Sequence, residues 1–402
     1  MKTIIITGLG FGDEGKGLAT DYLSHHSLSP VVIRFNGGHQ AGHTVVTADG
    51  RRHVFSSLGS GSFRGAPTYW SRYCTFYPNG FLNEYHTLRA MNVRPVFYLD
   101  YLSPVTTFYD VIYNRALEES RSRHGSCGLG FGATIERHES FPKLFAQDML
   151  SPRLLRLKLD AVERYYREKV NASGWSKLSE FYFNYDFEKA KKLFMEAAAE
   201  CVEVVRLVNE TAFFNTLKEK DCTCIFEGAQ GILLDMDFGF FPHVTRSYTT
   251  SRNAMELITT NKLPMPAVYY ITRAYQSRHG AGPMTNEDMA FNLIENEQET
   301  NVFNPWQGNF RKSVLDLDLL KHAILSDSHY SGMASKSLII TCLDQLDGQM
   351  NVTKGGVLSA TTPSALAEEL LPQHDELLLS YSDVSERMEA YRHPAKRKAA
   401  LV

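Results

Sequence analysis

A short apolar run, Thr3-Ile4-Ile5-Ile6-Thr7, opens directly into Gly8-Leu9-Gly10-Phe11-Gly12-Asp13-Glu14-Gly15-Lys16-Gly17. A buried strand followed by a glycine-rich turn with a lysine constrains the chain strongly: it predicts an α/β sheet whose first loop cradles a polyphosphate. Glycines let backbone N–H groups turn toward an anion, and Lys16 adds a point charge for the terminal phosphates. The spacing Gly10-x-x-x-x-Gly15-Lys16 matches a P-loop, but residue 17 is glycine where a Ser or Thr would hold Mg2+. In its place a carboxylate, Asp13, stands inside the loop. It repels phosphate oxygens unless it takes the metal or moves a proton.

Further nearly continuous apolar runs predict strands buried on both faces at Val31-Val32-Ile33, Cys224-Ile225-Phe226, Val268-Tyr269-Tyr270-Ile271 and Leu338-Ile339-Ile340. Helical periodicity fills the intervals. It is clearest from Asp186, a capping residue, through Leu217, and again from Leu154 to Val170. Residues 45–150 and 300–335 carry many Gly, Ser, Phe, Tyr and Arg without long periodic stretches and read as long functional loops. The expected fold class is α/β: a single large domain over 1–402 with a central mainly parallel sheet flanked by helices, related to P-loop NTPases. A helical insertion at about 150–220 and a solvated basic tail at about 385–402 are expected within it.

The net charge of −3 gives no basic excess for wrapping nucleic acid. Six cysteines form no framework, and Cys222 and Cys224, two apart on a strand, point to one face without implying a local disulfide. A reducing, cytoplasmic setting is expected. A core strand at the very start leaves no room for a signal peptide, and no apolar run is long enough to span a bilayer.

More glycine-rich clusters follow strand ends. Asn36-Gly37-Gly38-His39-Gln40-Ala41-Gly42-His43-Thr44 carries two histidines at helical spacing, but its glycines argue against a helix and so against a zinc pair. A histidine held beside a phosphate site suits a proton donor or a stabiliser of developing charge. Glu227-Gly228-Ala229-Gln230-Gly231, then Pro242-His243-Val244-Thr245, and Arg278-His279-Gly280-Ala281-Gly282-Pro283 place backbone-lined pockets along one sheet edge, where open α/β proteins bind ligands. Just past the last apolar run, Thr341-Cys342-Leu343-Asp344 offers a carboxylate that can pair with the N1–H and 2-amino groups of guanine, or serve only as a helix N-cap.

Gly12-Asp13-Glu14-Gly15-Lys16-Gly17, Gly37-Gly38-x-x-Ala41-Gly42-His43-Thr44, Glu227-Gly228-Ala229-Gln230-Gly231, Gly280-Ala281-Gly282-Pro283 and Thr341-x-Leu343-Asp344-x-Leu346-Asp347-Gly348 together resemble adenylosuccinate synthetase, in that family's order. The resemblance implies a homodimeric, Mg2+-dependent ligase joining L-aspartate to the 6-oxo position of a purine nucleotide at the expense of ATP or GTP. It implies that Asp13, His43 and Lys16 carry the catalysis. Gly12, Gly15, Lys16, Gly17, Gly42, Thr44 and Asp344 would bind the NTP. Asp13, Gln40, Arg137, Gln230 and Thr245 would bind the purine nucleotide, with Arg137 reaching across to the partner subunit's nucleotide. Arg311 would bind aspartate, and Asp13 with the Gly42 carbonyl would hold Mg2+.

The departures cluster on substrate recognition. Gln40 stands where the family usually has Asn, and Cys342 replaces a lysine that packs over guanine. An arginine-rich loop that grips aspartate and the ribose 2′-hydroxyl becomes Asn304-Pro305-Trp306-Gln307-Gly308-Asn309-Phe310-Arg311-Lys312, with Arg311 its one arginine. The closing Gly-Pro segment has no clear equivalent near Leu379-Ser380-Tyr381-Ser382. These departures resemble the bacteriophage branch that converts dGMP to 2-aminoadenylosuccinate, and such a protein would work in the host cytoplasm. The intact Asp13 instead resembles the conventional enzyme acting on IMP. An NTPase switch sharing the phosphate loop would require the missing Ser or Thr and would have no use for His43 or Gln230.

Overall fold

The chain is seen in a computed structural model that describes residues 1–120, 125–301, 303 and 305–392. Its centre is a ten-stranded sheet in the order Glu389–Arg392, Glu376–Leu379, Ser335–Thr341, Ala267–Arg273, Lys2–Gly8, Thr223–Gly231, Pro30–Arg34, Thr68–Trp70, Phe97–Asp100, Arg206–Val208. Neighbours run parallel except the pair Glu376–Leu379 and Glu389–Arg392. Each expected apolar run is a strand.

Alternation along those strands sorts the isoleucines to opposite faces. Ile6, Ile225, Ile271, Ile339 and Leu378 pack under Leu18, Ala19 and Leu23 of the helix Lys16–His25. Ile5, Ile33, Phe226, Tyr270 and Ile340 join Phe214, Leu257 and Leu320 on the other face. Burying each such side chain stabilises the fold by about 1.5–3 kcal/mol, so the sheet centre is a rigid platform. Parallel pairing puts Gly8, Arg34, Gly231, Arg273 and Thr341 at one carboxyl edge.

Three expectations are corrected. The helical stretch from Asp186 is two helices, Phe187–Val204 and Glu210–Lys218, separated by the edge strand Arg206–Val208. Asp186 does cap the first, its carboxylate accepting from the Lys189 N–H at 3.0 Å. Residues 45–150 hold the helices Pro78–Ala90, Phe108–Ser120 and Phe131–Ser140, and 300–335 holds Leu317–Ser331. Aromatic side chains of Pro78–Ala90 and Phe108–Ser120 turn inward as a cluster, with the Phe81 and Phe97 rings 4.6 Å apart, in a second core shared with the helix Pro152–Ser173, while Leu317 and Leu320 join the first core. Finally, 385–392 is no tail. Glu389–Arg392 is an edge strand, and Glu386 pairs with Arg64 at 2.5 Å. The basic run from His393 onward lies outside the described residues.

Candidate active site

The helix Lys16–His25 begins at the glycine loop, and Lys16 is buried there. Its ammonium donates to the Gly12 carbonyl at 2.6 Å and to Glu14 Oε2 at 3.0 Å, while the Gly12 N–H donates to Glu14 Oε1 at 2.7 Å. The loop therefore closes on its own carboxylate. The missing P-loop hydroxyl has a steric cause. A Cβ on Gly17 would meet the His43 Cβ at 2.9 Å and the Thr44 carbonyl at 3.0 Å, so the histidine strand takes the space where that side chain would begin.

The strand ends bring the other clusters to this loop. Asn36 bridges both backbone groups of Ala229: its amide donates to the Ala229 carbonyl at 2.8 Å and its side-chain oxygen accepts from the Ala229 N–H at 2.7 Å. Gly231 runs so close to the first loop that a Cβ there would meet the Gly10 carbonyl at 2.2 Å. Beside it Gln230 is held at φ 63, a strained setting for a non-glycine residue. The Gln230 side-chain oxygen and both polar atoms of the Gln40 amide are buried without a partner among the described residues. Buried amides are costly to leave unpaired, so these fit a ligand that brings its own donors and acceptors.

His43 lies at the start of the strand His43–Val46, packed on Gly17. Its Nδ1 is 2.7 Å from Glu227 Oε1, and Glu227 also accepts from the Ser60 N–H at 3.1 Å and from the Ser60 hydroxyl. Burial works against Glu227's charge but loses to His43 and Arg34, leaving its carboxyl at about 2. An ionised carboxylate can only accept, so Nδ1 carries the hydrogen and Nε2 faces away. Burial in turn lowers the imidazole to about 4, outweighing the pull of Glu227. Anionic charge arriving at Nε2 raises its proton affinity again, turning His43 into an imidazolium pinned by Glu227.

No described residue donates a hydrogen bond to the Asp13 carboxylate; its backbone carbonyl accepts from Arg273 Nε. Burial raises the Asp13 carboxyl above its ordinary value, with Arg273 pulling the other way. A hard cation suits this donor-free carboxylate, and the Gly42 carbonyl lies on the loop that precedes His43. Thr341 donates to the Glu14 carbonyl at 2.7 Å, tying the next strand end to the same loop. Asp344 is exposed in the turn Leu343–Gln345, whose cap position is Cys342 at φ 58, so the N-cap role for Asp344 is excluded.

Arg278 is buried beneath the Gly280 loop, stacked on the Phe11 ring of the phosphate loop at 4.3 Å and donating to the carbonyls of Ala281 at 3.1 Å, Pro283 at 2.7 Å and His243 at 3.1 Å. Burial, helped by the charge of Arg311, lowers this guanidinium to about 10. Thr245, nearby in sequence, is fixed through its N–H to the Leu234 carbonyl at 2.8 Å. Arg311 reaches the same loop, donating to Gly280 at 2.8 Å and Gly282 at 2.8 Å and pairing with Glu287 at 2.9 Å. Arg137 does not reach the site. It is fully buried against Asp110, Nε at 2.8 Å from Oδ1 and Nη2 at 3.0 Å from Oδ2, with Val105 and Pro142 carbonyls taking its other donors. Four of its five N–H groups are thus used inside the subunit, and with the side chain fully buried it braces the helix Phe131–Ser140.

A phosphate loop supplied with its own free carboxyl and a carboxylate-backed imidazole does more than grip a nucleotide: the chain falls among enzymes that activate a bound acceptor with an NTP. A family profile for adenylosuccinate synthetase matches residues 5–397, and the chain belongs to that family of carbon–nitrogen ligases. The adenylosuccinate synthetase of Thermoplasma volcanium is 31% identical over 334 residues, 81% of this chain and 73% of that protein. That of Neisseria gonorrhoeae (strain FA 1090) is 30% identical over 406 residues, 97% of this chain and 88% of its own. Fully ligated adenylosuccinate synthetase from Plasmodium falciparum superposes with a TM-score of 0.74 at 18% identity, covering 98% of this chain and 100% of that one. The cyanophage S-2L succinoaminodeoxyadenylate synthetase bound to dGMP and dATP superposes at 0.63 with 16% identity, covering 99% and 97%. Both share the fold.

Sequence reasoning quoted Glu14 and Glu227 within motifs without giving them work, and it passed over Arg273. A carboxylate placed at the end of an apolar strand was the available signal for Glu227. Nothing local marks Arg273, whose partners apart from Tyr275 are distant in sequence.

Proposed function

We propose that this ligase uses dGMP as its acceptor, forming 2-aminoadenylosuccinate from L-aspartate and an NTP. The donor-free Asp13 carboxylate carries the chemical part of this reading. It takes the N1 proton of the purine, so that O6 attacks the γ-phosphorus and the O–P bond to the departing NDP breaks. The amine of L-aspartate then forms the bond to C6 as phosphate leaves with O6. Lys16 neutralises phosphate charge, and the imidazolium of His43 stabilises the transferring group through Nε2. Asp13 and the Gly42 carbonyl would hold Mg2+, which supplies charge neutralisation at the phosphates. Gln40, Gln230 and Thr245 would hold the purine nucleotide, and Gly12, Gly15, Gly17, Thr44 and Asp344 the NTP.

The acceptor is read from what the chain lacks. Arg311 is the one arginine of its loop and is committed to Gly280, Gly282 and Glu287, which suits a sugar with no 2′-hydroxyl to grip. The dGMP and dATP bound by the cyanophage protein support the same choice. IMP is the second reading, favoured by Asp13 itself, since a full carboxyl at N1 crowds a neighbouring 2-amino group.

A matrix of IMP, GMP and dGMP against ATP and GTP, each with L-aspartate, tests this by phosphate release and succinylated product. Turnover with dGMP is expected; activity confined to IMP would overturn the acceptor, and no aspartate-dependent product with any pair would overturn the ligase chemistry. Asp13→Asn keeps nucleotide binding and loses turnover, because an amide cannot take the N1 proton.

A further inference from the structure

Two cations beside the phosphate loop, Lys16 and Arg273, are already paired with carboxylates of the chain itself. Lys16 is 3.0 Å from Glu14, and Arg273 Nη1 is 3.0 Å from Glu299 Oε2. The two carboxylates differ in mounting. Glu14 is built into the loop, buried and fixed by the Gly12 N–H. Glu299 is carried by the irregular stretch 293–301, which alternates exposed and half-buried residues.

That segment crosses the loop from one side to the other. At one end Leu293 bridges to Leu346, and the Ile294 N–H donates to the Gln345 carbonyl at 2.9 Å. At the other, Arg52 donates to the Gln298 carbonyl at 2.6 Å, and the Thr44 and Thr300 hydroxyls are 3.1 Å apart. Its ends thus rest beside Asp344 and on Thr44, the two sides expected to hold the donor nucleotide. Between them Glu299 turns inward, its other oxygen accepting from the Asn301 N–H at 3.1 Å and side chain at 2.9 Å.

Arg273 is buried at the end of a central strand, tied to the Asp13 carbonyl and to the Tyr275 hydroxyl at 2.5 Å, which in turn donates to Gln345 at 2.7 Å. A guanidinium so fixed, beside the phosphate loop and facing a carboxylate on a segment without regular secondary structure, is preorganised for an exchange of anions.

We propose that Arg273 binds the polyphosphate of the donor nucleotide, and that Glu299 is its placeholder, released when the triphosphate arrives. The proposal rests on the reading of 12–17 as the NTP loop and is independent of which purine is the acceptor. Before binding, Asp13, Glu14 and Glu299 oppose a triphosphate; withdrawing Glu299 removes one negative charge and frees one fixed cation.

The test is equilibrium binding of MgATP, and separately of inorganic triphosphate, to the full chain without acceptor or aspartate. Glu299→Gln is expected to tighten both by about threefold or more, and Arg273→Met to weaken both by about tenfold or more. In the Arg273→Met background Glu299→Gln has no further effect. Unchanged or weaker binding in Glu299→Gln overturns the placeholder role, and this arm decides even if Arg273→Met fails to fold. Tighter binding of ATP without tighter binding of inorganic triphosphate overturns it too, since the gain would then come from the base or sugar. Binding needs no turnover, so a failed ligase assay and a failed exchange are separate results.

Discussion

His43 Nδ1 lies 2.7 Å from Glu227 Oε1, with both side chains out of water. The pair is a proton store with a fixed outlet: Glu227 anchors one nitrogen, so protonation and release occur at the other.

Removing the anchor should cost nearly as much as removing the ring. Glu227→Gln is expected to lower kcat by about 10²-fold, and His43→Ala by about 10²-fold or more. The double variant should be no worse than His43→Ala, because the two act as a unit. Steady-state rates decide it; additive losses would mean that Glu227 acts elsewhere.

Acid should weaken the fold through its buried histidines. His43 at about 4 and His138 at about 3 both lie below the free value of 6.5. The unfolded chain therefore binds more protons in that interval, so their contribution to stability is whole above pH 6.5 and falls as pH drops toward 4. Urea unfolding at several pH values should show this slope, and His138→Gln should flatten part of it. Constant stability from pH 7 to 4.5 in the unaltered chain would refute the assignment.

Restoring the P-loop hydroxyl should harm the protein. Gly17→Ser places a Cβ against His43 and Thr44, and the overpacking should cost about 1–3 kcal/mol. Denaturant midpoints and MgATP affinity should both fall. A stable variant with tighter MgATP would show that the histidine strand yields.

Arg137→Met should strand Asp110 in the interior and destabilise by about 3–5 kcal/mol. Thermal unfolding measures it. Unaltered stability, with weaker binding of the purine nucleotide, would return Arg137 to the site.

Periodicity made the sheet centre legible, because Ile4-Ile5-Ile6 and its counterparts can only be buried strands in a chain of this kind. Glycine loops at their ends located the site for the same reason: parallel strands share a carboxyl edge. Val205 shows the limit, since the helical pattern continues through a β-branched residue whose extended backbone ends the helix, and Arg206–Val208 then pairs as an edge strand. Arg137 shows another. Its sequence neighbourhood is glycine-rich and loop-like, and only the distant Asp110 reveals that its charge is spent indoors. The Arg273–Glu299 pair was invisible because, although Arg273 ends a patterned strand, Glu299 sits in no patterned segment and only the fold brings them together.

The amide of Asn36, closed on both backbone groups of Ala229, adds what amounts to one more rung beyond the last paired residues of two strands. The loops that carry Gln40 and Gln230 are thereby tied to the sheet and share its stiffness. On the proposed seating of the two nucleotides, exchange of the donor would fall to the opposite wall, where residues 293–301 cross by a few discrete contacts.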